Sequence, residues 1–459
     1  MTAKVRRQIK IPPFVKNILD KFAKAGYEIY IVGGAVRDVL MSKETYDWDF
    51  TTNATPDEIL QVFPEGFYDN KFGTVGLADE SHHNPYEITT FRRETGYSDR
   101  RRPDHVEWGK SLKEDLARRD FTINAMALRL VPLAQGKHSF EVIDMFGGRQ
   151  DLKTKLIRAV GNAVERFDED ALRMMRAVRI AAELGFEIEP KTFEAIKIHS
   201  ASVKHVAWER IKAELFKTLA SDNPYEGVML LYNSGLLEQI LPEIIEGFGV
   251  EQKSPERHHI YDVGTHCLYA LKFCPSRDPL VRFATLIHDI GKPKTQKITA
   301  AGVITFYNHE VVGARLAKEI ADRLRFSRDE RDRLWRLVRW HQFTVSEKQT
   351  DTALRRFIRN VGKENVQDML DLRTGDRLGG GAAETSWRLE EFKERLEEVQ
   401  LQPFSVRDLK VNGKDIMQTL NIPSGPIIGK ILNELFGEVE KDQSRNTREY
   451  LLQRIEKYK

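Results

Sequence analysis

Ile31-Val32-Gly33-Gly34-Ala35-Val36-Arg37-Asp38, followed ten residues after Arg37 by Asp47-Trp48-Asp49, is the stretch on which the fold turns. Ahead of it, Tyr27-Glu28-Ile29-Tyr30-Ile31-Val32 is rich in β-branched and aromatic residues, which predicts a strand running into the glycines. Glycine lets the backbone come close to a ligand, and Val36 to Met41 predicts a helix whose first amides attract an anion. Positions i and i+2 of a strand face one way, so Asp47 and Asp49 are expected to converge with Trp48 packed behind them. Clustered carboxylates repel unless cations neutralise them, and hard oxygen ligands beside phosphate suit Mg²⁺. An Asp-rich turn after a Gly-containing bend is the alternative reading of either fragment alone.

Outward from this stretch, a chain of 459 residues is too long for one ordinary core and predicts about three domains. With 41% hydrophobic and 31% charged residues it reads as a globular protein, and no apolar run is long enough to span a bilayer. The basic start is broken by Ile11-Pro12-Pro13 before a signal-peptide core develops, so a cytoplasmic location is expected. Cys267 and Cys274, the only cysteines, suggest a reducing compartment and packing or an exposed thiol over a disulfide. A net charge of +3 makes no global demand for nucleic acid, so local clusters must carry that argument. Arg92-Arg93 through Arg100-Arg101-Arg102 to Arg118-Arg119, interleaved with Tyr97, His105 and Trp108, suits phosphate contact and base stacking, or else a salt-bridged loop.

The first third mixes strand-like runs with short helices, namely Thr74 to Leu77, Tyr86 to Phe91 and a loop ending in Asp120 to Asn124, which predicts an α/β or α+β domain. From about Leu156 the pattern is helical, with Phe167-Asp168-Glu169-Asp170 expected to cap a run through Arg173, Arg176 and Arg179. Gly379-Gly380-Gly381 reads as a linker. Glu87 on its strand would complete a two-metal carboxylate set, or is an ordinary solvent-facing glutamate. Arg118 to Ala127 offers arginine and asparagine for triphosphate and ribose, or a salt-bridged turn into a core helix. Asp170, Arg173, Arg176 and Arg179 recur every three residues and form a polar stripe on a helix, able to read a base edge and hold phosphates, or to lace a surface helix.

Together these residues resemble the class II tRNA nucleotidyltransferases, the CCA-adding enzymes, and their bacterial poly(A) polymerase relatives. The resemblance runs from Tyr30 to about Phe216, through Gly33 to Asp38, Asp47 to Asp49, the Glu87 strand, Tyr97 to Val106, Arg118 to Ala127 and Asp170 to Arg179. It implies an α+β protein: a DNA polymerase beta-like nucleotidyltransferase head over 1–152, a helical neck with a nucleobase-recognition helix over 153–245, a third domain over 246–380 and a helical tRNA-binding tail over 381–459. It further implies that Asp47 and Asp49 bind Mg²⁺ with Glu87 as third catalytic carboxylate, and that Gly34, Arg37 and Arg119 contact the nucleotide. Asp170 and Arg173 would pair with the edge of incoming CTP or ATP, and Arg176 and Arg179 would support the phosphates. The tRNA 3′ end would be the acceptor. Asn124-Ala125-Met126-Ala127 looks like the tRNA enzymes' version of its motif, and the loop Tyr97 to Pro103 resembles an element that CC-adding enzymes tend to lack. Full CCA addition is the reading, with A addition after a separate CC-adding enzyme as the alternative.

His266, His288-Asp289-Ile290-Gly291-Lys292-Pro293, His309 and Asp376 resemble the HD phosphohydrolase superfamily. That likeness implies a second divalent metal on His266, His288, Asp289 and Asp376, with His309 and His341 as further candidates, and with it phosphodiesterase or phosphatase activity. The alternative is a helical domain that keeps the motif for structure. Beyond the glycines, Asp408 to Ile416 and Gly425 to Lys430 resemble the tRNA-gripping tail, or are helix packing with exposed lysines. Two readings of other classes remain, a metal phosphohydrolase with a degenerate head and a catalytically silent RNA-binding module.

Overall fold

The computed structural model describes residues 2–5, 11–70, 73–79, 85–95, 105–108, 111–132, 138–252, 261–343, 345, 350–382, 387–400 and 406–458. The loop Tyr97 to Pro103 therefore lies outside the described residues. The chain forms two compact units, Met1–Glu246 with Arg323–Arg325, and Gly247–Asp322 with Phe326–Lys459.

The first unit is built on strands β1 (Thr2–Val5), β2 (Ile29–Val32), β3 (Asp49–Thr52), β4 (Phe67–Asn70), β5 (Thr74–Leu77), β6 (Tyr86–Thr90), β7 (Arg92–Thr95), β8 (His105–Trp108), β9 (Met126–Pro132) and β10 (His138–Asp144). Eight of them make one mixed sheet in the order β1-β10-β9-β2-β3-β6-β5-β4, while β7 and β8 pair separately. Every residue of β2 is buried, as a central strand demands. Its alternation feeds two cores: Ile29 and Ile31 join Val15, Ile18, Phe22, Phe50 and Ile88, while Tyr30 and Val32 join Phe91, Leu112 and Leu116. One face is covered by α1 (Pro13–Ala25), which buries Val15, Ile18, Leu19 and Phe22 and ends on Gly26 at φ 84°, a left-handed cap that glycine adopts at no steric cost.

After the glycines come α2 (Gly34–Leu40), α3 (Pro56–Val62), α4 (Leu112–Ala117), α5 (Gly148–Thr154), α6 (Ala163–Glu169) and α7 (Leu172–Leu184). Two expectations are corrected here. Strand β3 begins at Asp49, so Asp47 stands just before it; it is exposed while Trp48 is buried. Phe167, Asp168 and Glu169 end α6, and the chain breaks at Asp170 before α7. Asp170 serves the second helix, its Oδ1 accepting from the Leu172 amide at 3.0 Å, because a short carboxylate satisfies first-turn amides better than a helix interior needs it.

The second unit is helical, with His266 on Val263–Phe273, His288 at the end of Pro279–Ile287, His309 at the start of His309–Arg323, His341 capping Arg328–Trp340 and Asp376 on Val366–Gly379. Glycines let these helices approach. A β-carbon on Gly379 would lie 2.4 Å from the Ala270 nitrogen, and one on Gly375 2.6 Å from the Ala270 oxygen. Gly379 is thus a helix contact that draws the carriers of His266 and Asp376 together, which corrects its reading as linker. Cys267 and Cys274 are both free and buried. A separate core of Leu409, Val411, Ile416, Ile431, Leu435, Leu451 and neighbours holds the last helices. No helix among the described residues is long and apolar enough to cross a membrane.

Candidate functional site

In the first unit Asp49 and Glu87 stand on the neighbouring strands β3 and β6, with Asp47 just before β3. These strands run parallel with Asp49 directly opposite Glu87, which puts both side chains on one face. Burial comes first, then the charge of Asp47 and, more weakly, that of Glu87, in pushing the Asp49 carboxyl up to about 6 despite the opposing pull of Arg119. A carboxylate that is costly to ionise among other carboxylates is a site awaiting a cation. Carboxylate oxygens are the ligand type a hard divalent ion such as Mg²⁺ takes, but among the described residues the three carboxylates are not drawn together as a ligand group, unlike the histidines of the second unit.

Gly33 sits against this group at φ 75°, and a β-carbon there would come within 3.1 Å of Asp49 Oδ2 and 3.3 Å of an Arg119 terminal nitrogen. The sequence reading took both glycines as the phosphate seat and, through the resemblance, gave Gly34 and Arg37 the nucleotide contact; Gly33 is the one set against the Asp49 carboxylate. Arg119 lies between these partners. Its NH2 donates to Asp115 at 3.5 Å, and among the described residues its buried Nε has no hydrogen-bond partner. An arginine donor desolvated without a partner beside carboxylates is placed to receive an anionic ligand. Asp115, fully buried, was also missed. Although burial works against its charge, Arg118 and Arg119 hold its carboxyl below the ordinary range. Its spacing, four before Arg119, was the available clue.

Arg37 donates through Nε and NH2 to Asp38 and through NH1 to Asn124 Oδ1 at 3.0 Å. Asn124 Nδ2 in turn donates to Asp120 Oδ1 at 3.3 Å. On α7 the stripe is engaged by protein partners. Asp170 Oδ2 accepts from Arg210 at 3.2 Å. Arg173 donates to Glu169, the Arg166 carbonyl and the Arg118 carbonyl. Arg176 donates twice to Asp120 Oδ2, at 2.8 and 2.5 Å. Arg179 pairs with Glu183 and Glu214. Asp170, Arg173 and Arg176 thus share one neighbourhood with the Arg118-Arg119-Asp120 turn, while Arg179 reaches into the helix Trp208–Ala220 that bears Glu214.

The second unit brings His266, His288, Asp289, His309, His341 and Asp376 into one buried cluster. His266 Nε2 lies 3.2 Å from His288 Nε2 and 3.2 Å from Asp376 Oδ1, and His288 Nε2 lies 3.2 Å from Asp289 Oδ2. On the other side, His309 Nε2 lies 3.3 Å from His341 Nε2 and 3.2 Å from Asp289 Oδ1. Two groups whose ligand atoms converge result, His266-His288-Asp289 and Asp289-His309-His341. The Nδ1 atoms of His288, His309 and His341 each meet the carbonyl three residues earlier, at 2.7, 2.8 and 2.7 Å. A carbonyl only accepts, so each Nδ1 carries a proton and each ring aims its Nε2 into the cluster, where it offers a lone pair whenever Nε2 is deprotonated.

Lone pairs this close repel unless something positive lies among them. Burial opposes protonation of His288, but Asp289 and Asp376 overcome it and push its pKa up to about 10, and both carboxyls are held well below their usual range. The Lys292 ammonium also reaches Asp289 and the Gln252 side chain. Gly291 explains the motif's spacing, since a β-carbon there would lie 2.1 Å from the His309 carbonyl oxygen. A cavity of about 680 Å³ opens beside the cluster, lined by Asp289, Lys292, His309, His341, Arg373 and Asp376 among others.

Three family models match. Residues 29–158 match the poly A polymerase head domain, 185–247 a probable RNA and SrmB-binding site of polymerase A, and 295–455 a tRNA nucleotidyltransferase domain 2, putative. His266, His288 and Asp289 fall between the second and third. A CCA-adding enzyme of Ligilactobacillus salivarius is 33% identical over 441 residues, covering 96% of this chain and 95% of that protein. One of Limosilactobacillus reuteri is 47% identical over 224 residues, 49% of this chain and 53% of that protein. Among solved structures, the Bacillus stearothermophilus CCA-adding enzyme in complex with CTP superimposes with a TM-score of 0.67 at 27% identity, covering 98% of both chains.

Proposed function

We propose that this chain, which belongs to the CCA-adding enzyme family of tRNA nucleotidyltransferases, transfers CMP and AMP from CTP and ATP to the 3′ end of tRNA. The observation that carries the proposal is the Asp49 carboxyl, raised to about 6 among Asp47 and Glu87, with the unpartnered Arg119 Nε beside it. Asp47, Asp49 and Glu87 would hold two divalent cations, whose charge, when bound, favours the attacking hydroxylate and the leaving pyrophosphate. The terminal hydroxyl of the tRNA gives its proton to water as its oxygen attacks the α-phosphorus, a new P–O bond forms, the bond from the α-phosphorus to the bridging oxygen breaks, and pyrophosphate leaves. Arg119 and Arg37 supply guanidinium groups for the triphosphate, and Gly33 and Gly34 keep the floor of the seat free of side chains. Asp170 accepts and Arg173 donates, so between them they can read a Watson–Crick edge, and the protein chooses the base. The tail, with Lys410, Lys414 and Lys430 exposed, supplies positive charge for tRNA phosphates.

Incubation with tRNAs ending before CCA, after one C and after CC, each with a single labelled nucleotide, tests this reading. CTP should extend the first two and ATP the third, in a divalent-dependent manner that Asp47→Ala and Asp49→Ala abolish. Retained addition in those variants overturns it. Failure of CTP on the shortest tRNA, with ATP still added after CC, replaces it by A addition alone.

The second unit supports a second reading of its own, a divalent metal centre for phosphoester hydrolysis. What favours it is the set of Nδ1–H donations that leave inward-facing Nε2 lone pairs on both sides of Asp289. Metal analysis after chelation and reloading, together with hydrolysis of a phosphodiester, tests it; metal content unchanged by His288→Ala would refute it.

A further inference from the structure

We infer that Arg373 binds the terminal phosphate of a small phosphomonoester in the cavity beside the histidine cluster of the second unit. The inference rests on the phosphoester-hydrolysis reading of that cluster and names its substrate class. Asp289, His309, His341 and Asp376 of the cluster line the cavity, and Arg373 lines the same space. Arg373 stands three residues before Asp376 on the helix Val366–Gly379, and its NH1 donates to Asp376 Oδ2 at 2.8 Å. The other oxygen, Asp376 Oδ1, lies 3.2 Å from His266 Nε2 and 3.5 Å from His288 Nε2. One carboxylate thus serves the cluster with one oxygen and fixes the guanidinium with the other. Phe343 is the second restraint: the guanidinium carbon lies 5.6 Å from its ring centroid, and Phe357 and Phe392 pack against that ring at 4.8 and 5.4 Å between centroids. An arginine tied to a carboxylate and laid over an anchored aromatic ring is ordered before its ligand arrives.

The donors left over specify the charge of the ligand. A guanidinium carries five N–H groups and accepts nothing. The buried Nε of Arg373 has no partner among the described residues, and the side chain keeps 25% of its surface exposed, so a ligand can reach it. A phosphate, which offers several acceptor oxygens and a full negative charge, answers such a fork. The neighbouring charges are already matched: Lys292 donates to Asp289 and Gln252, and Glu310, the cavity carboxylate outside the cluster, lies 3.6 Å from Arg339. When cations fill the cluster, their charge answers Asp289 and Asp376, and Arg373 faces the cavity as positive charge, with Arg377 one helical turn on in the same wall. A monoester brings up to two negative charges and three free oxygens, a diester one charge and two free oxygens, so the monoester gains more from the guanidinium. The cavity of about 680 Å³ falls among small-molecule sites of about 300–1,000 Å³ and suits an ester of nucleotide size better than a folded RNA. In the hydrolysis, water adds to phosphorus and the bond to the ester oxygen breaks. One proton of the water passes to the leaving alcohol, the other stays with orthophosphate, and Arg373 holds the phosphate oxygens throughout.

The full chain reloaded with Mn²⁺ tests this with three probes: orthophosphate, p-nitrophenyl phosphate and bis(p-nitrophenyl) phosphate. In titration calorimetry Arg373→Gln should weaken orthophosphate binding by about 10- to 100-fold, the scale of a lost charge-assisted pair, while elemental analysis finds the wild-type metal content. The same variant should hydrolyse the monoester about 100-fold more slowly and the diester within about 3-fold of wild type. Orthophosphate bound equally well by wild type and Arg373→Gln, or equal losses on the two esters, overturns the inference. If Arg373→Gln sheds metal because Asp376 is no longer held, the comparison moves to Arg373→Lys, which keeps a cation beside Asp376 and removes the planar fork. Its orthophosphate affinity should fall by about 10-fold, and unchanged affinity overturns the inference. Wild-type protein that takes up no divalent metal, or hydrolyses neither ester, overturns the metal-centre reading instead.

Discussion

Replacing Asp49 by asparagine should make the metal-free protein more stable while destroying the activity assigned to it. The folded protein raises this carboxyl from 3.8 to about 6, and about 1.4 kcal/mol accompanies each unit, so ionising Asp49 in the fold costs up to about 3 kcal/mol. Partial solvent access and salt reduce that to about 1–2 kcal/mol. Asparagine keeps the shape and removes the charge. For a unit of this size about 2–4 °C accompany each kcal/mol, so Asp49→Asn should melt about 2–8 °C above wild type in chelator at pH 7.5. The folded pKa is raised, so the folded state binds the extra proton between about pH 4 and 6. The wild type therefore loses stability as pH rises through that window and stays penalised above it, and the advantage of Asp49→Asn should vanish below about pH 4. Mg²⁺ should reverse the order at neutral pH, since a ligand at a hundred times its Kd adds about 2.7 kcal/mol to the protein that binds it. Scanning calorimetry with and without metal reads all three effects. An Asp49→Asn protein that melts at or below wild type in chelator at pH 7.5 would refute the argument that these carboxylates form a strained cation seat.

Gly33→Ala should lower nucleotide addition by about 100-fold, because φ 75° disfavours the side chain and its methyl would crowd Asp49 and Arg119; near-wild-type kinetics would count against the seat. His341→Ala should remove bound metal from the second unit only on its own side of Asp289, lowering the divalent content measured by elemental analysis without abolishing it. Gly291→Ala should destabilise the second unit by about 3 kcal/mol or more, since its methyl would meet the His309 carbonyl, and should lower metal content in parallel; denaturant unfolding measures the first. Asp115→Asn should weaken CTP and ATP addition alike by about 10-fold, because Arg118 and Arg119 both lean on that buried carboxylate.

Much of the head was legible because its signals are local. The β2 strand, the glycine turn and the helix after it follow from side-chain shape and period, and β5 and β6 stand where their β-branched residues place them. Asp47 shows the limit: alternation predicted a strand through both aspartates, whereas pairing with β6 begins only at Asp49. The break at Asp170 escaped because a run of charged residues reads equally as a cap or as a helix end, and the Leu172 amide settles which. The three-residue arginine stripe was visible, but its partners were not, since Asp120 is 56 residues from Arg176.

By itself the sequence determined the types of chemistry: carboxylates beside a glycine turn, guanidinium groups for phosphate, and histidines at spacings that suit a metal. Those follow from residue identity and period, which act over a few positions. Only the tertiary structure decided which of them meet. Parallel pairing set Glu87 opposite Asp49, two glycines let the helices of His266 and Asp376 touch, and burial turned ordinary groups into shifted ones. The physical reason is that a pKa, an ion pair or a shared metal seat depends on distances fixed by packing between remote segments, and a linear pattern carries no record of them.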